Sequence, residues 1–227
     1  MRAGPYFTRA RGSRTLLAMA VLLLATAEVS MGEAIQLPAP RLNGETSLEE
    51  TIAERRSKRA FTSRDLTRDE LGQLLWAAQG VTLKRGGTAY RSAPSAGARY
   101  PLEVYVVSAG GTYRYAPAAH ALEPRNSQDL RRELAGAALG QGAVAEAPAT
   151  LVLCAVFARV TDRYGGRGKR YVHMEAGHAA QNVHLQAVAL GLGSVPIGAF
   201  DDGKVTSLLD LPREEDPLYL IPVGHPR

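Results

Sequence analysis

Three short stretches of the chain carry residue types suited to holding an anionic, planar ligand. The first is Arg55, Arg56, Ser57, Lys58 and Arg59, placed where a short helix should end. Guanidinium forks and a hydroxyl supply the donors that a phosphate needs, although such a run in isolation reads as a solvated basic face. The second is Pro94, Ser95, Ala96, Gly97 and Ala98, a loop of small residues just before a strand, which lets backbone amides approach a flat ring or its phosphate. The third is Pro196, Ile197, Gly198 and Ala199, followed by Phe200 and Asp201, between a strand and a helix, where main-chain donors can again face a ring. Each motif alone is weak, and what gives them weight is their company.

The elements that must position these motifs follow from periodicity and punctuation. Ser47-Leu48-Glu49-Glu50 and Thr67-Arg68-Asp69-Glu70 have the capping-box form, so helices are expected from about 47 to 56 and from about 67 to a stop at Gly80. Residues 84–98 read as loop. Alternation over 103–108 and 112–116, joined through Ala109-Gly110-Gly111, predicts a hairpin, and the apolar run 150–157 predicts a strand buried on both faces. A helix is expected over 127–139, followed by a loose Ala/Gly-rich connection to Ala149. A long alanine-rich helix should run from His173 to Leu190 and end at Gly191. Short strands at 194–197 and 218–223 flank a helix over 201–209. The order implies an α+β fold with a mixed, mainly antiparallel central sheet flanked by helices.

These three motifs, in this order and spacing, resemble the nitroreductase family of FMN enzymes, most closely its stand-alone azoline-dehydrogenase-like (SagB/ThcOx-type) branch. The likeness spans Leu48 to Pro226. It includes Leu74-Leu75-Trp76-Ala77-Ala78-Gln79-Gly80, Arg99-Tyr100-Pro101-Leu102-Glu103-Val104-Tyr105 and Glu175-Ala176-Gly177-His178-Ala179-Ala180-Gln181-Asn182. The resemblance implies that Arg55, Ser57 and Arg59, with Arg56 nearby, hold the flavin phosphate and ring edge. It implies that residues 94–98 pack beside the flavin and that the backbone at Gly198 or Ala199 faces its N5 region. A homodimer with both flavins at the subunit interface is implied too, with the long helix near the contact.

The chain departs from the family pattern at several positions. Ala98 stands where the typical member has Asn, and Gly198 where an acidic residue is common. Relatives that oxidise heterocycles in peptides use a Lys-Tyr pair, whereas this chain reads Lys169-Arg170-Tyr171. Tyr171 is the candidate catalytic residue, as a proton donor or acceptor, with a buried structural ring as the alternative. The expected activity is hydride transfer through flavin N5, as an azoline-type dehydrogenase or a generic nitro or quinone reductase. A catalytically inactive flavin-binding protein is the third reading. The substrate is a small molecule or a peptide, and the electron partner NAD(P)H or a quinone.

Composition narrows the partners. With 227 residues, 45% hydrophobic and 22% charged, the chain suits one globular domain. The net charge of +5 owes most to Arg2, Arg9, Arg11 and Arg14; without them 23 basic residues face 22 acidic ones, and nothing points to nucleic acid. That basic start, the apolar run 16–27 and Ala25-Thr26-Ala27 have the form of a cleaved secretory signal over residues 1–27. The alternative is a membrane anchor, for which the apolar run is short. No arginines are adjacent there, so cofactor loading after export is expected. It would also separate the protein from cytosolic nicotinamide donors. Residues 28–46 are expected to be a linker, with folding proper from Ser47 to Arg227. Cys154 is the sole cysteine and reads as core. His173, His178 and His184 lack the i, i+4 spacing of a helical zinc site, and no metal is expected.

Overall fold

The computed structural model describes residues 32–227, together with Met1 and Gly4. The expected signal segment lies outside the described residues. A seven-stranded sheet forms the middle of the domain, built from β1 (Ile35–Gln36), β4 (Leu102–Ser108), β5 (Gly111–Ala116), β6 (Ala121–Asn126), β7 (Ala149–Ala155), β8 (Gly193–Ser194) and β9 (Asp216–Gly224). Its order is β1-β6-β5-β4-β7-β9-β8, and each neighbouring pair is antiparallel. Among the described residues parallel pairing enters only at an isolated bridge between Ser57 and Ser194.

Alternation along the central strands sorts the core into two layers. Val104 and Val106 of β4, with Leu151 and Leu153 of β7, meet one helical layer: α2 (Arg68–Gln79) through Leu74, Leu75 and Ala78, and α6 (Arg167–Ala189) through Val172, Ala176, Ala179, Val183 and Ala187. Tyr105, Val107, Val152 and Cys154 point the other way. They pack with Leu134 and Ala137 of α3 (Arg131–Ala137), Val144 of α4 (Gly142–Glu146) and Val205 of α7 (Asp202–Leu208). The expected doubly buried strand is β7, every residue of which is buried. The α+β architecture with helices on both faces is as the sequence predicts.

Both expected capping boxes form. Ser47 and Glu50 close the start of α1 (Leu48–Glu54), and Thr67 and Glu70 close the start of α2, with α2 stopping at Gly80. Elsewhere the local expectations need correction. Residues 84–98 are not all loop, because β2 (Val81–Arg85) and β3 (Thr88–Arg91) form a separate hairpin turning at Gly86 and Gly87. Strand β6 carries Pro124 and was masked by it. The long helix begins six residues before His173. Arg159 and Arg163 therefore lie on α5 (Ala158–Tyr164), and Arg167, Lys169 and Arg170 on the first turns of α6.

The boundary of the folded domain also shifts. Within the expected 28–46 linker, β1 pairs with β6, and Leu37 is buried and donates its N–H to His120 O. His120 bonds Pro38 O through Nε2 (2.9 Å), and Gln73 satisfies both the N–H and the C=O of Arg41. Distant partners thus draw in a segment whose Pro and Gly content reads as free chain.

Candidate functional site

The first motif sits where α1 ends. Arg55 is its C-cap and half-buried, and the Arg56 guanidinium donates to the carbonyls of Ala53 (2.9 Å) and Arg55 (2.7 Å). Arg56 thus caps α1 through Nη1 while its side chain stays exposed. Ser57 makes the parallel bridge to Ser194 of β8, and Lys58 N–H donates to Ser194 O (3.0 Å). This close approach requires Gly193, since a Cβ there would lie 2.7 Å from Lys58 Cβ. On the far side the C-terminal arm holds the segment: Thr62 N–H donates to His225 O, Arg227 N–H to Ala60 O, and Phe61 is fully buried. Arg55, Lys58 and Arg59 take part in no ion pair among the described residues. Their charge is available to an anion.

Behind this cluster lies His184 of α6, only 4% exposed. Its Nδ1 is 2.6 Å from Ser194 Oγ, and its buried Nε2 has no hydrogen-bond partner among the described residues. Burial, assisted by the nearby Arg55 guanidinium, pushes the imidazole down to about 4, so it is neutral at physiological pH.

The third motif continues directly from β8. Ile197 is buried, and both its N–H and its C=O are taken by Leu220. It belongs to the core, contrary to the expectation that it faces a ligand, and Pro196 has no N–H to offer. Gly198 and Ala199 are exposed, and neither N–H makes a hydrogen bond among the described residues; Ala199 O accepts from Gln141 Nε2. The first and third motifs are thus linked through β8: Ser57 and Lys58 bond Ser194, two residues before Pro196, and the free Gly198 and Ala199 amides follow on the same run of chain.

The second motif lies elsewhere. Ala96–Ala98 make a single 3-10 turn with φ of 60° at Gly97 and 51° at Ala98, and Tyr100 follows at 46°. Such a run is unfavourable for side-chain-bearing residues and is held from several directions. Ser95 Oγ accepts from Tyr100 N–H (2.8 Å), Tyr100 O accepts from Arg159 Nη1 (3.1 Å), and Tyr100 Oη accepts from Arg91 N–H (3.2 Å). Tyr164 covers the turn, its hydroxyl 2.7 Å from where a Gly97 Cβ would be, with Arg163 beside it. Tyr171 packs edge-on against Tyr164, ring centres 5.3 Å apart. Lys169 and Tyr171, two residues apart on α6, lie on different faces of the helix.

Glu175 of α6 stands behind this loop, only 2% exposed, with Oε1 unpartnered. Burial pushes its carboxyl up to about 7, outweighing the stabilisation of the charge by Ser95, Arg91 and Gln79. Glu175 and His184 are nine residues apart, so the two parts of the site are about 14 Å apart along the α6 axis. Among the described residues no hydrogen bond joins Pro94–Ala98 to the other two motifs. Sequence reasoning missed Tyr164, Glu175 and the C-terminal arm, and considered His184 only as a metal ligand. The one available signal was a charged or polar residue within the apolar stripe of a long helix.

A two-faced antiparallel sheet with helices on both faces, one of them long and carrying buried polar side chains, defines an α+β scaffold. The chain belongs to the nitroreductase family, whose model matches residues 52–225. It is 44% identical over 200 residues to a nitroreductase-family protein of Methanocaldococcus jannaschii, covering 86% of this chain and 98% of that one. The structure of a nitroreductase-family protein from Ralstonia eutropha superposes with a TM-score of 0.77 at 33% identity, covering 86% of this chain and 90% of that one. The microcin B17-processing protein McbC of Escherichia coli is 34% identical over 141 residues, 55% of this chain and 50% of McbC. The E. coli microcin synthetase McbBCD complex with truncated pro-MccB17 bound shares the fold, with a TM-score of 0.66 at 24% identity. The chain is thus an oxidoreductase of a family that typically uses FMN.

Proposed function

We propose that the chain is an FMN-dependent dehydrogenase acting on a heterocycle carried by a peptide or small molecule. The observation that carries the cofactor assignment is the link through β8 between the segment of Arg55, Lys58 and Arg59, which make no ion pair among the described residues, and the run that ends in the Gly198 and Ala199 amides. The basic side chains and the Ser57 hydroxyl hold a phosphate, and the amides donate to the polar edge of a ring. Bound FMN supplies a two-electron acceptor and donor that no side chain here provides. The protein positions the ring, excludes water and supplies protons. Tyr171 or its neighbour Tyr164 is the proton-handling group beside the substrate.

The dehydrogenase reading draws on the 34% identity to McbC, and that relative's name connects it to peptide processing. A nitro or quinone reductase is the second reading, favoured by the 44% identity to the M. jannaschii protein. We further propose a homodimer in which residues 94–98 of one subunit approach the first and third motifs of the other, since one chain leaves them apart. Export by the leader favours a quinone or an exported substrate over a nicotinamide donor.

The test is the visible spectrum of the purified domain before and after NADPH or a chemical reductant. A protein that stays colourless after incubation with FMN overturns the cofactor assignment. Bleaching by NADPH favours the reductase reading, and bleaching by a chemical reductant alone favours a non-nicotinamide donor. Arg59→Ala should release FMN, whereas Arg125→Ala, on exposed β6, should retain it. Equal retention would remove Arg59 from the phosphate clamp.

A further inference from the structure

Three arginines, Arg99, Arg159 and Arg163, stand around the left-handed turn at 97–100, and only one of them has its charge answered. Arg159 of α5 pairs with Glu103 of β4 at 2.6 Å, and the other oxygen of the buried Glu103 is held by Arg114 of β5 at 2.7 Å. Anchored in this way, Arg159 donates through Nη1 to Tyr100 O (3.1 Å), while its own carbonyl accepts from Arg99 Nε (2.7 Å). Arg99 is therefore fixed at one nitrogen, and its two terminal nitrogens make no hydrogen bond among the described residues. Arg163 lies one turn further along α5. Its Nη1 is 3.3 Å from where a Gly97 Cβ would stand, and its guanidinium is 5.4 Å from the centre of the Tyr164 ring. Neither Arg99 nor Arg163 takes part in an ion pair among the described residues, and both are exposed, as is Gly97.

We propose that Arg99 and Arg163 form a clamp for a carboxylate of the substrate, and that this substrate is an acidic peptide. The proposal deepens the dehydrogenase reading and rests on it, because a loop 94–98 that borders the flavin sets the clamp beside the reacting heterocycle. Guanidinium forks match the planar carboxylate and donate charge-assisted bonds to it. Gly97 keeps the floor of the clamp open. Its φ of 60° suits glycine, and a side chain there would collide with the Tyr164 hydroxyl at 2.7 Å and crowd Arg163. The same hydroxyl adds a neutral donor next to the two cations.

The surroundings favour a peptide with several acids over a lone carboxylate. Arg167, Lys169 and Arg170 follow on the first turns of α6, exposed and likewise in no ion pair among the described residues, so the positive surface extends past the clamp. Acids are scarce along both segments that build it. From Phe157 to Met174 the sole acid is Asp162, exposed and in no such pair, and from Leu71 to Leu102 there is none. A surface with unanswered charge of one sign concentrates ligands of the other.

The test is the fluorescence anisotropy of a labelled hexaglutamate peptide mixed with the full chain, whose FMN content is read from its visible spectrum. Hexaglutamate should bind, more weakly as salt rises, and labelled hexaglutamine should not. Arg163→Gln and Arg99→Gln should each weaken binding about fivefold or more, the loss expected for a charge-assisted bond at a partly exposed site. Arg132→Gln removes the same charge from exposed α3, on the other face of the sheet, and should change binding less than about twofold. Arg163→Gln leaves the bond between Arg99 and Arg159 in place, which keeps the test decisive if Arg99→Gln loosens the turn. Equal weakening in all three variants means diffuse attraction and overturns the clamp, as does a native chain that ignores hexaglutamate. Binding of NADPH but not of hexaglutamate, lost in the same two variants, overturns it too, since the clamp would then hold a phosphate. A protein that takes up no FMN yet loses the peptide in those variants upholds the clamp and overturns the flavin reading alone.

Discussion

Two buried positions on helix α6, nine residues apart, solve opposite problems with the same means. At one, near the middle of the helix, a carboxyl group, Glu175, is buried; at the other, toward its C-terminal end, an imidazole, His184, is buried beside Ser194 and near Arg55. Desolvation opposes charge whatever its sign, so it raises the acid to about 7 and lowers the base to about 4. The difference lies in the neighbours. Arg55 reinforces burial at His184 and makes neutrality permanent near physiological pH, whereas Arg91, Ser95 and Gln79 resist burial at Glu175 and leave it poised. One position is a fixed support for an anion, and the other responds to protons.

The largest expected effect belongs to the fixed position. Phe61→Ala removes a fully buried ring that pins the first motif between β8 and the C-terminal arm, and should cost roughly 3–5 kcal/mol in denaturant melts. It should also weaken FMN binding; undiminished binding by the folded variant would mean that the arm does not position the first motif.

Next comes the pH dependence of stability, where the two positions oppose each other. Glu175 holds its proton in the folded state up to about pH 7 but releases it near 4.5 when unfolded. The folded state binds more protons between those values, and stability falls by about 3 kcal/mol as pH rises through that window. His184 takes up its proton below 6.5 when unfolded but only near 4 when folded, so its contribution is present above 6.5 and lost as pH falls toward 4. In the native protein these slopes offset each other between pH 4.5 and 6.5. Glu175→Gln should reveal stability that rises with pH there, and His184→Leu stability that falls. Slopes of the same sign in the two variants would sink the comparison.

Smaller effects test the loop alone. Gly97→Ala combines a φ of 60° with a Cβ placed against the Tyr164 hydroxyl and should cost about 1–2 kcal/mol, partly relieved by Tyr164→Phe. Ala98→Asn, at φ 51°, installs a residue type that tolerates the left-handed region and should gain roughly 0.5 kcal/mol. Differential melting of the three proteins checks both.

Much of the scaffold was legible because it rests on local rules. The capping boxes at Ser47 and Thr67, the stop at Gly80, the β4–β5 hairpin and the apolar run of β7 each follow from a few neighbouring residues. The failures share a cause as well. Strand β1 forms because His120 and Gln73 reach across 82 and 32 residues to hold Pro38 and Arg41, and the first turns of α6 form although Gly165 and Gly166 precede them. At the candidate site, residue type pointed to the run Arg55, Arg56, Ser57 and Arg59, but it gave no sign that Arg56 also caps α1 or that Ile197 lies in the core with both its backbone groups bonded.

Sequence alone determined that three motifs of donors and small residues occur in the order of a flavoenzyme family, and that local signals suffice to lay down the main helices and strands. Tertiary structure decided which motifs meet. It joined the first to the third across β8, set the second some 14 Å away along α6, and placed one buried ionisable group behind each part. Those outcomes depend on long-range pairing and on desolvation, which are properties of the packed chain and leave no mark in the spacing of residues along it.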